Sequence, residues 1–112
     1  RRLVRGLLLR RRLVRGLQSL TCGSGLDWHV VNVGARVEIV CAPEPIRNGG
    51  EARLAMDHDL ESFIHLYLAN RGILLAPFHN MMLLSPVTGA DQVDRLLREF
   101  ANCIGELQEI NK

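Results

Sequence analysis

Residues 65–88 read HLYLANRGILLAPFHNMMLLSPVT, and this stretch, with the residues on either side of it, decides the architecture. Just before and into it, Leu60, Phe63, Ile64, Tyr67 and Leu68 recur at i, i+3, i+4, i+7 and i+8. That spacing predicts a helix over about 59–70 with one buried stripe. Asp57 or Asp59 suits its start, because a carboxylate accepts bonds from the free N–H groups there and matches the positive helix end. Gly72 stands where a left-handed residue commonly closes a helix. Beyond it, Ile73–Leu75 and Met81–Leu84 are short apolar runs that predict two strands, joined through Pro77, Phe78, His79 and Asn80. Thr88 with Asp91 three residues on has the spacing of a capping box. The helix it opens, about 89–110, places Val93, Leu96, Leu97, Phe100, Ile104 and Leu107 on one face.

Upstream of this stretch, Trp28–Val33 (WHVVNV) and Arg36–Cys41 (RVEIVC) are rich in β-branched residues and are separated only by Gly34 and Ala35. They predict two strands and a tight turn. Alternation puts Val37, Ile39 and Cys41 on one face of the second strand and Glu38 and Val40 on the other. Residues 42–51 (APEPIRNGGE) hold two prolines and two glycines and read as a loop. Thr21–Asp27 (TCGSGLD) reads as a loop for the same reason. The resulting order, helix–β–β–helix–β–β–helix, predicts an α+β fold in which a small antiparallel sheet is covered by helices.

Two segments follow from charge. Residues 1–20 contain seven arginines (Arg1, Arg2, Arg5, Arg10, Arg11, Arg12 and Arg15) and no acid, and they form an Arg-rich N-terminal helix or arm. Residues 21–112 form the body, and everything after residue 20 holds seven cations against twelve acids, a net of −5. The arm contains a direct repeat: RRLVRGL at 1–7 recurs at 11–17. A ten-residue shift is close to three helical turns, so both copies are expected on one face, with Leu3, Leu7, Val14 and Leu17 as its apolar stripe. Residues 11–20 read as the helix leading into the body, and residues 1–10 as a duplication of it or a sequence artefact.

At 47% hydrophobic and 23% charged, the composition is that of an ordinary globular chain, and no apolar run approaches the ~20 residues a bilayer requires. Cys22, Cys41 and Cys103 are odd in number and form no C-x-x-C pair, so a disulfide framework and a zinc site are both disfavoured. The expectation is free thiols and a cytoplasmic location. His58 and His65 lie two helical turns apart, ~10 Å along the axis, which is too far for one metal ion. Asp57, Asp59 and Glu61 read as helix-start electrostatics rather than an acid/base pair. No residue is assigned a catalytic role and none a metal.

The 65–88 block, followed by D-x-V-D-R-L at 91–96, resembles the C-terminal region of class III pyridoxal-phosphate-dependent aminotransferases, nearest the glutamate-1-semialdehyde aminomutase-like branch. WHVVNVGARVEI and PEPIRNGGEA fit the same branch in the same order, so the likeness covers residues 28–110, about three quarters of the chain. It implies the small domain of such an enzyme, which closes over an active site built mainly by a large domain. It also implies that the Pro77–Met81 turn faces the substrate side, with Phe78, His79 and Asn80 as wall or hydrogen-bonding residues. Several relatives place a carboxylate-binding arginine just before the proline of this turn or in the following strand. Here those positions are Ala76 and Met81–Leu84, so no guanidinium clamp comes from this stretch. Arg36, Arg47 and Arg71 remain as candidate anion binders.

The resemblance implies pyridoxal phosphate in the full-length parent, and that chemistry needs a lysine amine in a desolvated pocket. The one lysine is Lys112, the last residue. Gly23-Ser24-Gly25 is too short, and in the wrong context, to be a phosphate-binding loop. The expectation is a fragment that is inactive alone, with no cofactor bound, whose partners are an aminotransferase large domain, a homodimer mate, or further copies of itself. The competing reading is a small interaction protein that uses its arginine arm on nucleic acid or a membrane surface. With no aromatic residue in the arm, single-stranded nucleic acid is disfavoured.

Overall fold

The computed structural model describes residues 2–43, 45–76 and 79–110. Helix α1 (Arg2–Gly23) buries Leu9, Leu13 and Leu17, spaced four apart, and continues the stripe with Thr21. The two repeat copies do not share a face. Leu17 is fully buried while its equivalent Leu7 is 45% exposed, and Val14 packs on the core while Val4 is open. The cause is angular: ten residues turn about 1000°, roughly 80° short of three full turns. The side chain of Leu3 lies outside the described residues. Gly16, a costly residue inside a helix, has a packing reason. A Cβ there would stand 2.6 Å from the Leu97 methyl groups, so its absence lets α1 approach α4 (Ala90–Ile110) closely.

The two helices run parallel. Arg12 donates two 2.7 Å bonds to the Asp94 carboxylate, Gly16 meets Leu97, and Gln108 donates to the Ser24 carbonyl at 2.7 Å. The first turn of α4 differs from the expected capping box. Gln92 Oε1 accepts from the Gly89 N–H at 2.9 Å, while Thr88 Oγ1 accepts from the Ser85 N–H. The reciprocal bond is therefore made one position later than the Thr88–Asp91 spacing suggested.

Strands β1 (His29–Val33) and β2 (Arg36–Val40) pair antiparallel, with Val30 opposite Ile39 and Asn32 opposite Val37. Gly34, at φ +57°, opens the two-residue turn between them, where a Cβ would be strained. The third strand, β3 (Met82–Leu83), pairs with β2 on its other side, giving the order β1-β2-β3. Val37 and Ile39 face the helices as expected. Cys41 does not keep the alternation: it lies past the strand end and faces the hollow lined by Glu38 and Val40.

Two expected features are corrected. Residues 42–51 are not all loop, because helix α2 (Gly49–Leu54) begins within them. Asn48 Oδ1 accepts from the Glu51 N–H at 3.0 Å, and the Glu51 carboxylate accepts from the Arg47 N–H at 2.7 Å. These paired bonds offset the helix penalty of Gly49 and Gly50. Ile73–Leu75 form no strand, and only Ala76 bridges to Met81. Helix α3 (His58–Ala69), capped by Asp57 through the Leu60 N–H, ends in a closure that sets the path of these residues. The Ile73 N–H reaches the Leu68 carbonyl, and the Gly72 N–H reaches that of Ala69, around Gly72 at φ +81°. The chain then turns so that Leu75 enters the core and Leu74 is 82% exposed.

The core is one cluster centred on Phe100, Leu13, Leu17, Leu68, Val37 and Val93. Helix α1 packs on β1 and β2 of a three-stranded antiparallel sheet and against α4, and α3 packs against α4, so the fold is α+β as predicted from the sequence. Val31, Glu38 and Val40 border a hollow whose lining also includes Ala52 of α2, Glu61 of α3 and His79.

Candidate functional site

Ala76 and Met81 pair as an isolated antiparallel bridge, the Ala76 N–H donating to the Met81 carbonyl at 3.1 Å. His79 and Asn80 both have left-handed backbones, at φ +60° and +48°. A residue with a Cβ there costs roughly 1–2 kcal/mol, less for asparagine, so this pair must be held by its surroundings. Asn80 supplies the hold. It is buried, and its Nδ2 donates to the Glu61 carbonyl of α3 at 2.8 Å. With Asn80 fixed to the helix, its neighbour His79 is turned toward the sheet.

The His79 side chain is 43% exposed, and its Nδ1 lies 3.5 Å from Oε1 of Glu38, a contact that becomes an ion pair when the imidazole is protonated. Glu38, Val40, Cys41, Met56, Glu61 and His79 line a hollow of about 320 Å³. Arg36, on the same strand face as Glu38, reaches the Met81 sulfur at 3.5 Å. Pro77 and Phe78 lie outside the described residues, so the expected wall residue Phe78 is not placed.

Of the three candidate anion-binding arginines, only Arg36 stands beside this turn. Arg47 pairs with Glu51 at 3.1 Å at the start of α2. Arg71 lies 3.3 Å from Glu99 and stacks over the Tyr67 ring at 3.5 Å, so it ties the end of α3 to α4. The structure does not gather the three into one site. Glu38, Glu61 and Cys41 were not among the expected site residues. For Glu38 the strand pattern held a signal: it alternates away from Val37 and Ile39, on the face the core does not fill.

The hollow holds no ready nucleophile. Burial, then the nearby Glu61 and Asp57 charges, push the Cys41 thiol up to about 12, and it stays protonated at neutral pH. Cys103, in the core, is pushed up to about 11 mainly by burial. Cys22 is exposed. A thiol-reactive disulfide reagent at pH 8 should therefore titrate Cys22 rapidly, Cys41 more slowly and the buried Cys103 only as the domain opens. Fast release of two equivalents from the native chain would contradict this placement of Cys41. Among the described residues no group of three or more His, Cys, Asp or Glu is placed to hold a metal ion.

The fit to pyridoxal phosphate is poor on this structure's own evidence. No lysine occurs among the described residues. Gly23-Ser24-Gly25 follows the C-terminal end of α1, where outward-pointing carbonyls repel a phosphate, rather than a helix start, where N–H groups attract one. Among the described residues, then, neither a Schiff-base amine nor a helix-start phosphate cradle is present.

Comparison with solved structures places this geometry among known folds. A glutamate-1-semialdehyde-aminomutase from Pseudomonas aeruginosa PAO1 is 43% identical, with a TM-score of 0.88 over 92% of this chain and 23% of that chain. A variant of a glutamate-1-semialdehyde-aminomutase from the same organism, in complex with PMP, matches equally well, over 91% and 22%. An omega-transaminase from Sphaerobacter thermophilus shares the fold at 20% identity, TM-score 0.80, over 93% and 24%. The chain thus spans less than a quarter of the length of each. No family model and no curated protein sequence matches it.

Proposed function

Because the chain belongs to the class III pyridoxal-phosphate-dependent aminotransferase family, in its glutamate-1-semialdehyde-aminomutase-like branch, we propose that it is the small domain of an enzyme that transfers an amino group on an amino or keto acid. The observation that carries the reading is the 76–81 turn. Two successive left-handed residues are kept in place by the Asn80–Glu61 bond, and the result is a half-exposed imidazole beside a largely buried carboxylate. Strained backbone held by its surroundings is characteristic of ligand-facing turns. In this reading His79 hydrogen-bonds the bound substrate, Glu38 orients the His79 ring, and Asn80 sets the turn. Phe78 contributes an apolar wall, and Arg36 is the nearest cation for a substrate carboxylate.

Pyridoxal phosphate, when bound by a large domain, supplies the electron sink of the reaction. The 112-residue chain neither binds it nor transaminates alone. What it offers a large domain is surface. Val33, Leu83 and Val87 are 64–88% exposed, and Leu7, Leu84 and Pro86 line an apolar hollow of about 370 Å³ beside them. Apolar surface of this kind is normally covered, here by the large domain or by a second copy.

Titrating the chain with pyridoxal phosphate should leave the absorbance of the free aldehyde unchanged, with no stoichiometric adduct after borohydride reduction. Sedimentation should show self-association that a large-domain polypeptide from the Pseudomonas aeruginosa relative reverses by forming a mixed complex. A stoichiometric cofactor band would overturn the first expectation. A monomer indifferent to the large domain would overturn the second.

A further inference from the structure

Some arginines of this chain stand beside a carboxylate and others do not, and three of the latter lie together. Arg12, Arg47, Arg71 and Arg98 each have a carboxylate within 4 Å: Asp94, Glu51, Glu99 and Glu99 again. Arg10, Arg11 and Arg15 have none among the described residues, yet these three line one hollow of about 300 Å³ between α1 and β1. The rest of its lining is Val14, Gln18 and Asn32, so no acid contributes to it. Arg10 is partly fixed already, since its Nη1 donates to the Gly34 carbonyl at 3.1 Å. Residues 11, 15 and 18 follow helical spacing, which stacks Arg11, Arg15 and Gln18 along the wall that faces Asn32 of β1.

From this arrangement we infer that the α1–β1 hollow binds a diphosphate group, as in inorganic pyrophosphate or a nucleoside diphosphate. Three uncompensated positive charges in a concave site concentrate an attractive field on its floor. A guanidinium presents paired N–H donors in a plane that matches two oxygens of one phosphate group. One phosphomonoester carries about −1.5 to −2, so a single phosphate leaves charge unmatched, whereas two linked phosphate groups bring roughly −3 and balance three arginines. Gln18 and Asn32 add neutral side-chain donors at the rim. Arg12 is withheld from the hollow by its two bonds to Asp94, which turn it toward α4 instead. The helix face next to the hollow is therefore used for packing, and the hollow itself is left open to an anion. The inference uses no residue of the 76–81 turn or of the Glu38–Glu61 hollow, and it shares only Arg10 with the apolar hollow assigned above to the large domain or a second copy.

Calorimetric titration of the chain with inorganic pyrophosphate should show saturable one-to-one binding that weakens as salt rises. An Arg11→Gln/Arg15→Gln double variant should bind at least about tenfold more weakly, given the strength of charge-assisted bonds. Arg53→Gln/Arg98→Gln removes the same net charge elsewhere and should leave the affinity within about twofold; circular dichroism would establish that both variants fold. Equal weakening in the two double variants would overturn the site, because binding would then follow net charge alone. Failure of pyrophosphate to bind at low salt would overturn it as well. Inorganic phosphate binding as tightly as pyrophosphate would refute the diphosphate assignment. So would a mixed-sequence single-stranded oligonucleotide that binds with a long site size and displaces pyrophosphate from all variants alike.

Discussion

A Phe100→Ala chain should lose most of its cooperative thermal unfolding transition. Phe100 is 1% exposed and sits at the centre of the one core, where it belongs to the same buried cluster as residues of α1, α3 and β2. Removing a buried phenyl ring costs about 3–5 kcal/mol in lost transfer energy and residual cavity. Native domains retain only about 5–15 kcal/mol in total, and small ones lie toward the lower part of that range. A fall of at least roughly 12 °C in Tm follows for a domain of this size. Phe100→Leu keeps most of the volume and should cost less than half as much. If the alanine variant melted within a few degrees of the parent, the core would not be where the structure puts it.

Asn80→Ala should be the most damaging change at the candidate site, at about 1.5–2.5 kcal/mol, because two costs combine there. The bond from Asn80 to the Glu61 carbonyl is lost, and because that carbonyl keeps its partner within α3 the loss is about 0.5–1.5 kcal/mol. Alanine also pays for the left-handed backbone that asparagine tolerates, roughly another 1 kcal/mol. Two companions separate these causes. Asn80→Gly relieves the backbone but not the bond, and should be milder than alanine. Asn80→Asp suits the backbone but has no N–H to donate to a carbonyl, and places a charge in a buried position; it should be at least as damaging as alanine. Chemical denaturation of the three variants measures the order. Glycine proving worse than alanine would mean that the left-handed turn is not what Asn80 maintains. On the function proposed above, the same variants in a complex with a large domain should also weaken substrate binding through His79.

Much of this fold was legible because local chemistry and tertiary packing agree. Helix α4 announces itself through Val93, Leu96, Phe100 and Ile104, and the Gly34 turn fixes the β1–β2 register. The failures lie where local signals and distant contacts disagree. Gly49 and Gly50 argue against a helix, and the side chains of Asn48 and Glu51, which close α2, are persuasive only once their bonds are seen. Ile73–Leu75 have strand-like composition, but the closure at Gly72 commits them to the core and leaves no partner strand. The RRLVRGL copies look equivalent in sequence, yet only the second lies over the sheet, where Leu13 and Leu17 find neighbours. At the site, the importance of the turn came from family resemblance alone. Its contact with Glu38 joins residues about forty positions apart, and no spacing rule connects them.

The parallel pairing of α1 with α4 has a consequence for how the domain reaches its native state. Arg12 and Asp94 are separated by 82 positions, and the helices they join supply Leu13, Leu17, Val93 and Phe100 to the same core. That contact closes a long loop, which carries an entropic cost before any packing offsets it. The β1–β2 hairpin and α3 can form early from local contacts, but Leu13 and Leu17 have no complete surface to bury against until α4 is present. During synthesis on the ribosome the arginine helix would therefore wait, covered on the hairpin side only, until α4 has emerged.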